Sequence, residues 1–251
     1  MSYLIAVTGK GGVGKTSVSA LLIRQLIKNG REPVLAIDAD PNSCLDAALG
    51  VTAERTVGRA REEVRENAPD SMKSGVSKQD LLQYKIAESL VEAENFDLIA
   101  MGRPEGAGCY CYANNVLKSV INEIANEYPY VVLDNEAGLE NLSRRIVSGV
   151  DLLIMVSDAS NAGLRTLVRL QELAVEMGTE YKELLLVVNK LKNGKLPDNI
   201  DDIVKTTGAS GVVGLPEDEV MAGFAEQGRS LLELPDDNPV VALVDEIARR
   251  G

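Results

Sequence analysis

Gly9-Lys10-Gly11-Gly12-Val13-Gly14-Lys15-Thr16 satisfies the spacing G-x4-G-K-[ST], and its flanks decide how it is read. Upstream, residues 4–8 form a short apolar run of strand type. Downstream, residues 15–29 have helical periodicity and stop at Gly30. A glycine loop between a strand and a helix lets backbone N–H groups converge on a phosphate, and the helix N-terminus adds its positive dipole. Lys15 would bridge the β- and γ-phosphates of a bound nucleotide, and the Thr16 hydroxyl would reach Mg²⁺. Gly11, Gly12, Val13, Gly14 and Ser17 complete the expected cradle. The same glycines also spell G-x-G-x-x-G, the dinucleotide fingerprint, with Asp38 near the place of that fold's ribose-binding acid. Lys15-Thr16 decides against it, because a dinucleotide fold needs neither a lysine nor a metal-binding hydroxyl after its third glycine. The acid also comes as a pair, Asp38 and Asp40.

Beyond the loop, apolar runs alternate with helix-period segments, the pattern of βαβ units. Strands are expected at 4–8, 34–38, 98–101, 131–134, 152–157, 184–189 and 212–215. Most are continuous rather than alternating, as in a parallel sheet buried on both faces. Helices are expected at 15–29, 115–126, 139–148, 164–177 and 240–250. Residues 51–80 are charged, broken by Gly58, Pro69 and Gly75, and read as an insertion over the sheet. The fold class is therefore α/β, a P-loop domain with a mostly parallel sheet flanked by helices, with residues 1–251 taken as one domain.

The formal net charge of −12 argues against a broad nucleic-acid footprint and against steering to an anionic membrane. No stretch approaches the ~20 apolar residues of a spanning helix. Residues 3–7 run straight into the glycine loop, unlike a signal peptide, so a cytoplasmic chain is expected. Three cysteines (Cys44, Cys109, Cys111) form no disulfide framework. With no histidine in the chain, a metal site must use thiolates or carboxylates.

Lys10 makes the loop more specific. KGGVGKT resembles the two-lysine loop of the family that contains the septum-site and chromosome-partitioning ATPases and the nitrogenase iron protein. The resemblance implies ATP hydrolysis by a nucleotide-dependent homodimer, with Lys10 reaching the partner's nucleotide as an arginine finger would. Residues 37–42 (Ile-Asp-Ala-Asp-Pro-Asn) resemble the family's first switch, which implies that Asp40 orients the attacking water while Asp38 supports the Mg²⁺ shell. Residues 132–138 resemble the second switch, with Asp134 holding Mg²⁺ through water and Gly138 as a pivot. Asn189-Lys190 closes an apolar strand where the amide could meet the adenine edge, and Pro216-Glu217-Asp218 could close the same pocket. The run Asn189-Lys190-Leu191-Lys192 lacks the aspartate of the guanine signature, which favours ATP.

Cys109-Tyr110-Cys111 sits in a glycine-rich loop, GRPEGAGCYCYANN, between an expected strand and helix. Two thiolates can serve one metal, and a tetrahedral or square-planar shell needs four, which two copies across a twofold axis would supply. The pair can also simply pack as small hydrophobes beside Tyr110 and Tyr112. Cys44 has no nearby partner and is expected to be packed. Together, GKGGVGKT, DADPNS, GRPEGAGCYCYANN, LDNEAGLENLSRR and VVGLPEDEV resemble the CooC-type accessory ATPases of carbon monoxide dehydrogenase maturation over the whole chain. That resemblance implies Ni²⁺ or Zn²⁺ on Cys109 and Cys111 between two protomers, and carbon monoxide dehydrogenase as the client. The accessory ATPase of acetyl-CoA synthase shares most of these segments and stays open as an alternative. Two further alternatives are electron transfer through a bridging iron–sulfur cluster, which needs two separated cysteines per subunit, and a spatial-organiser ATPase, marked by a basic amphipathic C-terminal helix. Here residues 240–250 carry an apolar stripe (Val240, Val241, Leu243, Val244, Ile247) with only Arg249 and Arg250 as cations, and are expected to pack in the core.

Overall fold

The continuous apolar runs become strands of one eight-stranded sheet in a computed structural model that describes residues 2–66, 77–102, 122–138 and 149–250. In chain order the strands are β1 (Tyr3–Gly9), β2 (Val34–Asp38), β3 (Leu90–Glu92), β4 (Phe96–Ala100), β5 (Tyr130–Asp134), β6 (Val150–Asp158), β7 (Tyr181–Leu191) and β8 (Gly211–Pro216). Their spatial order is β3-β4-β2-β5-β1-β6-β7-β8, and every neighbouring pair is parallel except β3–β4. Helices α1 (Lys15–Lys28), α2 (Leu45–Leu49), α3 (Val57–Glu66), α4 (Lys78–Ala87), α5 (Asn161–Glu176), α6 (Ile200–Thr207), α7 (Glu219–Glu226) and α8 (Pro239–Ala248) surround it.

Side chains alternate across each strand, so each apolar run feeds two cores. On one face Ala6, Ile37, Leu133 and Leu153 pack with Leu164 and Leu167 of α5. On the other, Val7, Ala36, Val132 and Ile154 pack with Leu21 and Leu22 of α1 and with Val244 and Ile247 of α8. Helix α8 starts cleanly, with Asn238 capping Val240 N–H at 2.9 Å and Pro239 at the first turn. Its apolar stripe lies in the core, as expected. Its two trailing cations are paired, Arg249 with Asp245 at 2.7 Å and Arg250 with Glu183 at 2.6 Å.

Within the expected insertion at 51–80, the described residues 51–66 and 77–80 include helical structure, and residues 67–76 lie outside the described residues. Helix α3 buries Val57, Ala60 and Val64, a sparse i, i+3, i+7 stripe inside a charged sequence. Helix α4 is capped by Ser77, whose hydroxyl accepts from Asp80 N–H at 3.1 Å, and buries Leu82 and Ile86. Val57, Val64, Leu82 and Ile86 join the same core as Leu35 and Ile99, so these two helices lie over the sheet. Of the helix expected at 115–126, residues 122–125 are helical and residues 115–121 lie outside the described residues; 139–148 lies outside them entirely.

Strand β1 leaves the sheet at Gly9, whose φ of +153° is matched by its neighbourhood. A Cβ there would lie 2.1 Å from the Val156 carbonyl oxygen across the β1–β6 ladder. Backbone cannot step aside as a side-chain tip can. Gly9→Ala is therefore expected to destabilise the fold by about 3 kcal/mol, read as a lowered urea midpoint; an unchanged midpoint would refute this close approach.

Candidate nucleotide site

Because β1, β2, β5, β6, β7 and β8 run in parallel, their carboxyl ends share one edge of the sheet. Gly9, Asp38, Asp134, Asp158, Asn189 and Pro216 all sit at or near those ends. Ligands of open α/β sheets bind at this edge.

The glycine loop leads from β1 into α1 through Gly14, which caps the helix at φ +94°. A Cβ on Gly14 would lie 2.4 Å from Asn189 Nδ2. Around the loop, three donors hold main-chain carbonyls. Asn189 Nδ2 donates to Val13 O at 2.9 Å, Lys190 Nζ to Gly12 O at 2.9 Å, and Lys15 Nζ to Lys10 O at 3.3 Å. Asn189 is 3% exposed, and its Oδ1 accepts from Lys190 N–H at 2.8 Å, so both ends of the amide are engaged inside the protein. Lys190 itself adopts a left-handed backbone, φ +58°. Lys15 is buried, whereas Lys10 is exposed. The Ser160 hydroxyl and N–H hold the Asp158 carboxyl below the usual carboxylate range, with Lys10 and Lys190 adding to the effect.

Three aspartates converge below the loop, each with a different local duty. Asp134, 1% exposed, accepts from Thr16 Oγ1 at 2.7 Å and Ser19 Oγ at 3.0 Å. Burial, with the charge of neighbouring Asp38, pushes its pKa up to about 7 despite those two hydroxyls. Asp38 pairs in register with Asp134, is fully buried, and is raised by that burial to about 6. Both its oxygens hold backbone, Asp40 N–H and Leu45 N–H at 3.0 Å each, so it shapes the turn after β2. Asp40 is half-buried, and its Oδ1 accepts from Asn42 N–H at 2.8 Å and Asn42 Nδ2 at 3.0 Å. The segment after β5 is fastened to β1: Asn135 donates to Val7 O from both N–H and Nδ2 at 3.0 Å, and Thr8 Oγ1 donates to Gly138 O.

A cavity of about 950 Å³ opens over these groups. Gly11, Gly12, Gly14, Lys15, Thr16 and Ser17 form its floor, with Asp40 and Glu136 at one end and Asn189, Lys190, Pro216 and Glu217 at the other. The structure thus brings together the expected loop, Asp40 and base-pocket residues. Met221, Ala222 and Ala225 of α7 supply an apolar wall that sequence reasoning missed. Their i, i+1, i+4 spacing behind the Asp218 cap was the available signal; Asp218 accepts from Met221 N–H at 2.7 Å and Asn238 Nδ2 at 3.0 Å. A second cavity of about 620 Å³, at the amino edge beside Tyr3 and Tyr181, contains no glycine loop.

Cys109 and Cys111 lie outside the described residues. Cys44 is exposed rather than packed, since it stands at the start of the short helix α2 with its side chain outward. Partial burial and the carboxylates of Asp38, Asp40 and Asp46 raise its thiol pKa. Among the described residues, no cluster of three or more Cys, Asp or Glu side chains is arranged to hold a metal, and no helix is long and apolar enough to cross a membrane.

A parallel sheet, a glycine loop opening a helix, and a buried lysine and hydroxyl facing a carboxylate define a P-loop nucleotide-binding protein. The chain belongs to the AAA_31 P-loop ATPase family, whose AAA-domain model matches residues 2–185. An uncharacterized ATP-binding protein of Methanocaldococcus jannaschii is 44% identical over 248 residues, covering 98% of this chain and 97% of that protein. The carbon monoxide dehydrogenase accessory protein CooC of Rhodospirillum rubrum is 30% identical over 243 residues, covering 92% and 89%. The fold is that of a ParA family ATPase from Chlorobium tepidum (TM-score 0.72, 20% identity, all of both chains) and of the MinD cell division protein of Aquifex aeolicus (TM-score 0.69, 23% identity, 99% and 96%).

Proposed function

We propose that this chain is an ATP-hydrolysing maturation factor that carries nickel to carbon monoxide dehydrogenase, working as a nucleotide-dependent homodimer. The observation that carries the reading is the likeness to the CooC accessory protein across 92% of the chain, together with the C-x-C pair in its sequence. ATP occupies the 950 Å³ cavity, with phosphates on the glycine loop and Lys15 and the base toward Pro216 and α7. The donors near Thr16 fit Mg²⁺, since the Thr16 hydroxyl and the Asp134 carboxylate are hard oxygens already 2.7 Å apart. Thr16 would hold the ion and Asp134 would support it; the ion supplies charge neutralisation for the phosphates. Asp40 orients the attacking water, and exposed Lys10 of each protomer serves the other's nucleotide. Closure of the dimer then brings Cys109 and Cys111 of both copies around one Ni²⁺ or Zn²⁺ as cargo.

Acetyl-CoA synthase as the client is the neighbouring alternative, since its accessory ATPase shares most of the segments that carry the resemblance. A spatial-organiser role is disfavoured by α8, whose apolar stripe is buried and whose two arginines are ion-paired. Equilibrium dialysis of Ni²⁺, read with oligomeric state, tests the metal reading. The wild type is expected to hold about one ion per dimer, and a Cys109→Ala/Cys111→Ala variant none at micromolar metal. Undiminished binding by the variant would remove the C-x-C pair from the function.

A further inference from the structure

The Asn189-Lys190 pair lines the cavity and is also tied to the glycine loop. Asn189 donates from Nδ2 to Val13 O and accepts at Oδ1 from Lys190 N–H, and Lys190 donates from Nζ to Gly12 O. Those two carbonyls belong to consecutive peptide units of the glycine loop. A trans peptide is planar, with its C=O and N–H antiparallel. Drawing the Gly12 carbonyl toward β7 therefore aims the Val13 N–H the opposite way, and drawing the Val13 carbonyl does the same for the Gly14 N–H. On the ATPase reading, the phosphates would lie on that opposite side of the loop.

We infer that Asn189 and Lys190 brace the glycine loop from β7, pre-aiming the Val13 and Gly14 N–H groups at the phosphates. They are positioning residues for phosphate binding, a role that rests on the ATPase reading and adds to it. Two further features fit a brace. Gly14 approaches Asn189 so closely that a Cβ would lie 2.4 Å from Nδ2, so loop and strand are matched in shape. Lys190 is a non-glycine residue held at φ +58°, a conformation that lasts only where surrounding contacts enforce it. Its long side chain reaches back to Gly12 from that turn. Without the brace, a loop with glycines at 9, 11, 12 and 14 would sample many conformations, and ordering it would oppose each binding event.

A brace and a base reader differ in what they do to a ligand without a base. Calorimetric titration of Mg-ATP and of magnesium tripolyphosphate, with wild type, Asn189→Ala and Lys190→Met, separates them. Measurement in about 0.5 M salt screens the simple loss of the exposed Lys190 charge. Asn189→Ala is expected to weaken both ligands by about tenfold, equal within threefold, and Lys190→Met both by about threefold. Loss confined to ATP, or no loss for either ligand, overturns the brace. Should Asn189→Ala not fold, the exposed Lys190 position decides by the same criteria. A wild type that binds neither ligand overturns the ATPase reading, and the brace with it, whereas a base-only effect overturns the brace alone.

Discussion

Lys10→Ala is expected to lower ATP turnover by about a thousandfold while leaving Mg-ATP affinity within about threefold of wild type. Both halves follow from placement. The cavity is lined by Gly11, Gly12, Gly14 and Lys15 of the loop, but Lys10 is not part of its lining and is exposed. Its main-chain carbonyl, which accepts from Lys15 Nζ, survives the substitution, so the loop's own geometry is retained. A lysine that serves a partner's phosphoryl group acts on charge that grows only in the transition state, and so it affects rate more than binding. Mixing variants makes the claim specific. A Lys15→Ala chain binds nucleotide poorly but still owns Lys10, so mixing it with Lys10→Ala should restore turnover at one site of each hybrid dimer. Recovery to within about fourfold of a wild-type site is expected. No recovery in the mixture, or full activity of Lys10→Ala alone, would contradict the assignment in trans.

The parts of this site that were legible in sequence are those whose chemistry is local. A glycine loop must have a strand before it and a helix after it, and the apolar runs feeding Asp38 and Asp134 could only be buried parallel strands. The duties of the aspartates were less legible, because they depend on register. Asp38 is opposite Asp134 across β2 and β5, which buries both and gives the Asp38 oxygens to the backbone of residues 40 and 45. Helix α3 was obscured because three small apolar anchors sit among Arg59, Arg61, Glu62 and Glu63. Helix α7 was obscured for the opposite reason. Its apolar residues line a cavity rather than a core, and Phe224 is its only deeply buried side chain. Asn189 shows the same limit at one residue: its place at the end of an apolar strand is readable, but the carbonyl it grips lies 176 positions away.

Asp134→Asn is expected to make the nucleotide-free protein more stable at pH 8 while cutting its Mg-dependent turnover by about a hundredfold. The stability half follows from linkage. Burial raises Asp134 to about 7 from 3.8, so between those values the folded chain holds a proton that the unfolded chain has released. Stability therefore falls as pH rises through that window, and the fully charged carboxylate is a cost above it. Asp38, raised to about 6, adds the same sign between 3.8 and 6. An asparagine at 134 can accept from one of Thr16 and Ser19 and donate to the other, so no buried polar atom is orphaned. The gain at pH 8 should be about 2 kcal/mol, below the roughly 4 kcal/mol that a three-unit shift would allow in full. Thermal unfolding of both proteins from pH 5 to pH 8.5 checks this. The wild type should lose stability across the range, and the variant should lose its slope above pH 6. Adding Mg-ATP should reverse the order, since only the carboxylate supports the ion beside Thr16. A variant less stable than wild type at pH 8, or one with the same pH slope, would show that Asp134 is not held against its own charge. If both halves hold, the buried carboxylate is kept at the expense of the empty protein's stability because the loaded protein needs its charge.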